Sequence, residues 1–352
     1  MHERAGYAIC HYVTDFIETA VGPVPRVATS PTLSDRLQTM AARSGLSRDN
    51  YPVTPGLYCV GNPDRDAPVL ASANFKLSFD HLRWSLAGED GWLLVLDTRG
   101  INVWCAAGKG TFATEELVRS VRACGLEKLV GHRQLIVPQL GAPGVSGLQV
   151  KKECGFKVTF GPIRAADLPK FLAKGADEEM REATFSLGER AVLIPVELYL
   201  TIKPFFLALL PLFLLAGAGP GFFSLATALE RGPVLIGATL LGIGAGAILV
   251  PLLLPLLPGR QFWIKGLITG LGSGGLYWYL LSGGVSLAEG VAILSWCTAI
   301  ASYLGMNFTG TTPFTSPSGV EYEMRRGIPL QISLAMAAVV CWLLASFLGG
   351  RS

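Results

Sequence analysis

The sequence predicts an α/β domain with a mostly parallel sheet, followed by an all-α transmembrane domain of five helices. Three observations carry this reading. Short apolar runs alternate with segments of helical spacing through the first half of the chain, a pattern of βαβ units. Five long uncharged stretches fill the second half, at 204–229, 232–259, 266–288, 290–320 and 327–350. Charge is divided accordingly: of the 55 Lys, Arg, Asp and Glu residues, 12 follow position 190. The net charge of +3, without any basic run, excludes a nucleic-acid partner.

Taken in order, residues 1–50 read as helical and loop elements. Residues 51–175 form the α/β domain, with strands expected at 56–61, 68–73, 92–98, 134–139 and 157–161. Helical spacing is found between and after them, at 75–88, 112–124, 144–155 and 165–175. Residues 176–191 read as a charged linker, and 192–352 as the transmembrane domain.

Each uncharged stretch supplies about 20 apolar residues, the length that crosses a hydrocarbon core. Spans are expected near 198–217, 234–257, 262–282, 287–305 and 330–348. Lys203, Arg260, Lys265, Arg325 and Arg326 gather on one side, with Arg231 and Arg351 as exceptions. The positive-inside bias makes that side cytoplasmic, so the α/β domain faces the cytoplasm and the C-terminus lies outside a multi-pass inner membrane protein. The opening residues contain no apolar run of signal-peptide type. No charge interrupts the five stretches, so anchoring and bundle assembly are expected rather than transport. The polar segment 307–327 is expected to be a cytoplasmic loop.

Seven cysteines, at 10, 59, 105, 124, 154, 297 and 341, include no Cys-x-x-Cys pair. That spacing excludes an internal ferredoxin-type cluster and a zinc ribbon. One cysteine stands apart. Cys105 lies in "INVWCAAGKGTF", directly after the strand run "WLLVLDT". In open α/β sheets ligands sit beyond the carboxyl ends of the strands. The loops at 99–111 and 139–145 lie at such ends and are rich in Gly, Ala and Pro, so they are expected to form the floor of one site. The motif is not a phosphate loop, because Gly-x-x-x-x-Gly-Lys-Ser/Thr is absent. Three readings of Cys105 stay open on the residues alone: a buried structural thiol, a nucleophile with His132 as its base, and a metal ligand.

The stretch "NVWCAAGK" at 102–109 resembles the signature of the mercury-methylating corrinoid protein family, HgcA. So do "GPVPRV" (22–27), "PGLYCVGNP" (55–63), "ANFKLSFDHLR" (73–83), "HRQLIVPQLGAPGV" (132–145) and "GFKVTFGP" (155–162), as does a corrinoid domain followed by five spans. The α/β domain is also similar, more distantly, to the corrinoid-binding part of the corrinoid iron–sulfur protein large subunit.

The resemblance implies a Rossmann-like corrinoid-binding domain and a corrinoid-dependent methyltransferase. Such an enzyme moves a methyl group from a cobalt corrinoid to Hg(II), as a carbanion equivalent or a radical, and forms methylmercury. It implies that Cys105 is the lower axial ligand of cobalt. None of His2, His11, His81 and His132 fits Asp-x-His-x-x-Gly, the pattern by which other corrinoid proteins supply a histidine there. The residues Asn102, Val103, Trp104, Ala106, Ala107, Gly108 and Lys109 would surround the corrinoid, with His132, Gln139 and Gly141 from the second loop. For Asn102, hydrogen bonding to the sulfur and capping of the next helix are both open. For Trp104, corrin packing and a place in the core are open. Lys109 pairs with corrin carboxamides or is solvated, and His132 and Arg133 contact the periphery or are ordinary surface groups.

Remethylation needs reduced cobalt, and the chain has no cluster motif. The resemblance therefore implies a separate ferredoxin-like partner with two 4Fe–4S clusters and a methyl donor of the methyltetrahydrofolate-dependent type. Hg(II) would arrive as thiol complexes, because soft metals select soft ligands. A corrinoid methyl carrier of one-carbon metabolism with a different acceptor is the alternative. A transporter with a ligand-sensing soluble domain is the rival from another class.

Overall fold

The computed structural model describes residues 11–46, 52–312 and 317–348, and the chain divides into two compact units at Thr184 and Phe185. The first unit holds a seven-stranded sheet with strands β1 (Val13–Ile17), β2 (Val24–Val27), β3 (Gly56–Val60), β4 (Val69–Ala73), β5 (Gly91–Leu96), β6 (Gln134–Val137) and β7 (Lys157–Phe160). Their order is β1-β2-β3-β5-β4-β6-β7. Pairs β4/β5, β4/β6, β6/β7 and β2/β3 are parallel; β1/β2 and β3/β5 are antiparallel. The sheet is thus mostly parallel, as expected.

Helices α1 (Leu33–Arg43), α2 (Lys76–Ser85), α3 (Val103–Gly108), α4 (Thr114–Ala123), α5 (Leu126–Leu129), α6 (Gly147–Cys154) and α7 (Leu168–Lys174) complete the unit. Strand alternation divides its core in two. Trp92, Leu94 and Leu96 of β5 pack on one face with Leu117, Val121 and Val150. Leu93 and Val95 pack on the other with Phe79, Leu82 and Leu168. Helices therefore cover both faces, and β5 is buried along its whole length.

The expectation of only helices and loops before residue 50 is corrected by β1 and β2. The exposed middle of β1 gives no alternating apolar signal. Pro25 argues against a strand in β2, which is joined to β3 through one pairing, Arg26 with Cys59. The expected linker 176–191 is also corrected. Met180 is 3% exposed and its carbonyl accepts the Ile163 N–H at 3.0 Å, so this stretch is packed within the first unit. Residues Leu187–Ala191 form helix α8, which opens the second unit.

That unit continues with α9 (Ile194–Gly217), a hairpin of β8 (Ala218–Gly219) and β9 (Phe222–Phe223), and α10 (Leu225–Gly244). A π turn at Ala245–Leu249 leads into α11 (Val250–Leu253), followed by α12 (Phe262–Leu280), α13 (Leu287–Asn307) and α14 (Pro317–Leu348). Five long helical segments match the five expected spans. Among the described residues four are long and apolar enough to cross a membrane: Leu187–Gly217, Leu225–Leu253, Leu287–Gly310 and Ser318–Phe347. The third expected span, α12, is a helix of 19 residues that carries Lys265, Tyr277, Tyr279 and five glycines and is not among those four. Those glycines serve contact: a Cβ on Gly266 would lie 2.4 Å from the Ala301 carbonyl oxygen, and one on Gly270 would lie 2.6 Å from the Thr298 Cα.

Two further expectations change in this unit. Lys203 lies inside α9 rather than before it, and α14 begins at Pro317, within the segment expected to be a loop; residues 313–316 lie outside the described residues. The early start of α14 has a use. Glu323 accepts the backbone N–H groups of Phe262 and Trp263 at 2.9 and 3.1 Å, capping α12, whose first donors have no partner within the helix. Arg231 and Glu289 form an ion pair at 3.0 Å, joining α10 to α13.

Candidate functional site

The chain leaves β4 to form β5 on one side of it, then returns to form β6 on the other. Strand order therefore reverses between β4 and β6, where α/β sheets open a crevice. A cavity of about 430 Å³ lies there. Its walls are Leu70 to Ser72 of β4, His81 and Leu82 of α2, Asn102 to Trp104, Pro138 with Leu140, and the segment from Gly161 to Leu168.

Local chemistry places α3 at this edge. Asn74 is 3% exposed and follows β4 directly. Its side-chain oxygen accepts the backbone N–H groups of Thr98 and Gly100 at 3.0 and 2.9 Å, which folds the loop after β5 back over the sheet. The turn carries Arg99 at φ 59° and Gly100 at φ 71°, and the second of these suits glycine. The buried Thr98 hydroxyl donates to the Ile101 carbonyl at 2.6 Å. Asn102 then begins α3: its side-chain oxygen accepts the Cys105 backbone N–H at 2.9 Å. Of the two open roles, the observed bond is the cap.

Cys105 stands in the first turn of α3, half-buried, with buried Ala106 and Ala107 behind it. Trp104 is half-buried and lines the cavity, so it is not a core tryptophan. Gly108 and Lys109 are exposed. The second loop, a 3-10 turn at Gln139–Gly144, packs closely against this segment. A Cβ on Gly144 would lie 2.1 Å from the Phe112 carbonyl oxygen and 3.2 Å from the Ala107 Cα, and one on Gly141 would lie 2.5 Å from the Phe112 ring. Gly141 therefore meets Phe112 and is buried, Gln139 is half-buried, and Pro138 and Leu140 reach the cavity.

His132 is not brought to this group. It precedes β6 and so lies at the amino edge of the parallel strands, opposite Cys105. Its Nε2 donates to the Ala67 carbonyl at 3.0 Å and its Nδ1 accepts the Gln134 N–H at 3.1 Å, which fixes it as part of the strand entry. Both ring nitrogens are occupied, so His132 is no base for Cys105. Arg133 lies beside it, over the Phe156 ring.

Sequence reasoning passed over the groups that hold α2 against the site. Lys76, Asp80 and Arg83 of α2 form a buried network with Asp35 of α1. Arg83 donates to Asp35 at 2.6 Å and to Asp80 at 2.8 Å, and Lys76 also donates to Asp80. Two cations and two carboxylates balance, and Arg83 also donates to the Ala28 carbonyl. Burial raises the Asp35 pKa, but hydrogen bonds from the Thr32 N–H, His11 and Arg83 outweigh it and hold the carboxyl well below its ordinary range. The outward side of α2 presents Ser78, His81 and Ser85 to the cavity. The available signal was position, since Asn74 and α2 follow a parallel strand at its carboxyl end.

Among the described residues no three His, Cys, Asp or Glu side chains gather to hold a metal by themselves. A single half-buried thiol in the first turn of α3, next in sequence to the cavity-lining Trp104, suits a metal whose other ligands belong to a macrocycle. On that donor set, the residues fit a corrinoid's cobalt.

Residues 37–172 match the model of a family described as CO dehydrogenase/acetyl-CoA synthase delta subunit. The chain is 36% identical over 129 residues to the acetyl-CoA decarbonylase/synthase complex subunit gamma of Methanopyrus kandleri, covering 36% of this chain and 28% of that protein. The same subunit of Archaeoglobus fulgidus is 33% identical over 129 residues, covering 36% and 27%. That of Methanothermobacter thermautotrophicus is 31% identical over 147 residues, covering 40% and 32%. The chain thus spans less than a third of each relative's length. The family match covers the part of the α/β unit that holds Cys105 and ends at residue 172, before the apolar helices begin.

Proposed function

We propose that the α/β unit binds a corrinoid whose cobalt is held from below by the Cys105 thiolate, and that the protein transfers a methyl group to Hg(II), forming methylmercury. The observation that carries this reading is the placement of Cys105. It is half-buried in the first turn of α3, directly after Asn102 to Trp104, which line the cavity where strand order reverses, and it falls within residues 37–172, which match the CO dehydrogenase/acetyl-CoA synthase delta subunit model. The resemblance of "NVWCAAGK" to mercury-methylating corrinoid proteins supplies the acceptor.

When bound, the corrinoid would supply a transferable cobalt-bound methyl group, and the Cys105 thiolate would hold the cobalt and donate electron density to it. The chain's own residues prepare this arrangement. Asn102 fixes the Cys105 backbone and so the direction from which the sulfur is presented. Asn74 fixes the loop that carries Asn102. Gly144, close against Ala107 and Phe112, lets the second loop pack on the α3 segment. Trp104 supplies an apolar wall of the cavity. Hg(II), a soft metal, would arrive as a thiol complex and receive the methyl group as a carbanion equivalent or a radical.

The reading includes a membrane-anchored chain with the corrinoid unit in the cytoplasm and the C-terminus outside, supported by the four apolar helices and the basic residues of the sequence. It also includes a ferredoxin-like reductant with two 4Fe–4S clusters and a folate-dependent methyl donor as separate proteins. A second reading, a methyl carrier of one-carbon metabolism with another acceptor, is favoured by the similarity to acetyl-CoA decarbonylase/synthase subunits.

The test is the absorption spectrum of the full chain reconstituted with cobalamin. Thiolate ligation requires a spectrum that changes in Cys105→Ala while corrinoid is retained. An unchanged spectrum removes the ligand assignment, and failure of the wild type to retain corrinoid removes the function. Methylation assays with Hg(II) and with other acceptors separate the two readings.

A further inference from the structure

We infer that α1 is an interfacial helix that lies on an anionic lipid surface. The inference rests on the reading that the second unit spans a membrane. The order of residues in α1 makes it two-faced. Asp35 and Ala42 turn inward, and Asp35 is locked to Arg83. The other face shows Leu33, Leu37 and Met40, which are 74%, 57% and 67% exposed and follow one another at helical spacing. Leu46, just past the helix end, extends the row at 73%.

The charge on this helix has one sign outward. Its only acid is buried in the ion network, whereas Arg36 is exposed and Arg43 is half-buried, reaching His81 at 3.3 Å. A row of large apolar side chains flanked by arginines, with no exposed carboxylate, is the composition of a helix that lies in the plane of a membrane surface. The chain itself indicates the occupant. The first unit ends at Thr184 and the helical segment that includes the first candidate span begins at Leu187, so only a short stretch of chain joins the α/β unit to a membrane-spanning helix. Tethering raises the effective concentration of the surface that the helix meets, and the arginines complement anionic head groups.

The experiment uses the full chain in vesicles of phosphatidylcholine and phosphatidylglycerol. A fluorescent non-natural amino acid replaces Leu37, Met40, Leu148 or Leu210, one at a time. Leu148 is 82% exposed in the first unit and serves as the aqueous reference; Leu210 lies in α9 and serves as the lipid reference. Quenching at 37 and 40 by brominated lipid, with iodide quenching at least threefold below that at 148, is expected. It should weaken in Arg36→Glu or in vesicles lacking phosphatidylglycerol. Lipid quenching at 210 but not at 37 or 40 overturns this proposal and leaves the spanning reading intact. Protection at 37 and 40 from both quenchers means that protein covers the face, which also overturns it. Absence of lipid quenching at 210 overturns the spanning reading itself.

Discussion

The side chain of Asn102 accepts the backbone N–H of Cys105 at 2.9 Å, so the residue that starts α3 also fixes the thiol in its first turn. Removing an N-cap side chain costs about 1 kcal/mol, equivalent to roughly a fivefold change in an equilibrium constant. Asn102→Ala should therefore weaken cobalamin retention by about that factor, and Asn102→Ser, which keeps a capping oxygen, should restore most of it. Titration of the chain with cobalamin, followed by absorbance, checks both. Equal loss in the two variants would show that the amide makes some contact other than the cap.

Thiol chemistry separates Cys105 from Cys59. Cys59 on β3 is fully buried and its pKa is pushed up to about 12 by burial, so it offers almost no thiolate at neutral pH. Cys105 is half-buried in the first turn of α3. Brief N-ethylmaleimide treatment of the folded protein should modify Cys105 and leave Cys59 untouched until denaturant is added. Bound corrinoid should slow labelling at Cys105 alone. Peptide mass mapping reads both outcomes.

The Asp35 network sets an acid limit. Burial raises the Asp35 pKa, but hydrogen bonds from Thr32, His11 and Arg83 carry it well below the ordinary 3.8. A carboxyl with a depressed folded-state pKa stabilises the fold above its unfolded pKa and loses that contribution as pH falls. Stability should thus be level near neutrality and decline below about pH 4, as the unfolded chain takes up a proton that the folded chain refuses. In Asp35→Asn the decline should shrink, while stability at pH 7 drops by about 3–5 kcal/mol because Arg83 loses a buried partner. Urea unfolding of the α/β unit, followed in the full chain between pH 3 and 7, measures this.

In the second unit, α12 meets α13 through glycine. Gly270→Leu should lower thermal stability in detergent by an amount typical of core overpacking, about 1–3 kcal/mol, because even a Cβ there would lie 2.6 Å from the Thr298 Cα. Gly272 is exposed, with nothing within 4 Å of an added Cβ, so Gly272→Leu should be nearly neutral by the same melting assay.

Apolar runs, helical spacing and uncharged stretches located the five strands from β3 to β7, helices α2, α4, α6 and α7 and the long helices of the second unit, because burial on both faces of a parallel sheet and burial in lipid each leave strong hydrophobic patterns; α3, inside the expected loop 99–111, and α5 are too short to show one. The same pattern, with the residue type, directed attention to Cys105. Strands β1 and β2 left no such trace, since one is exposed in its middle and the other carries Pro25.

What the sequence by itself determined, then, was the kind of layer each segment joins and which loop ends a strand. Tertiary structure decided what meets at those ends. It put Asn74 under the loop that carries Asn102, and it gave the gap between β4 and β6 a cavity walled by Trp104 and α2. It also sent His132 to the far edge of the sheet, although the sequence places it in a loop that adjoins a strand just as Cys105 does. The physical reason is direction: a residue before a parallel strand and one after it lie at opposite ends of the sheet, and only folding shows which neighbours share an end.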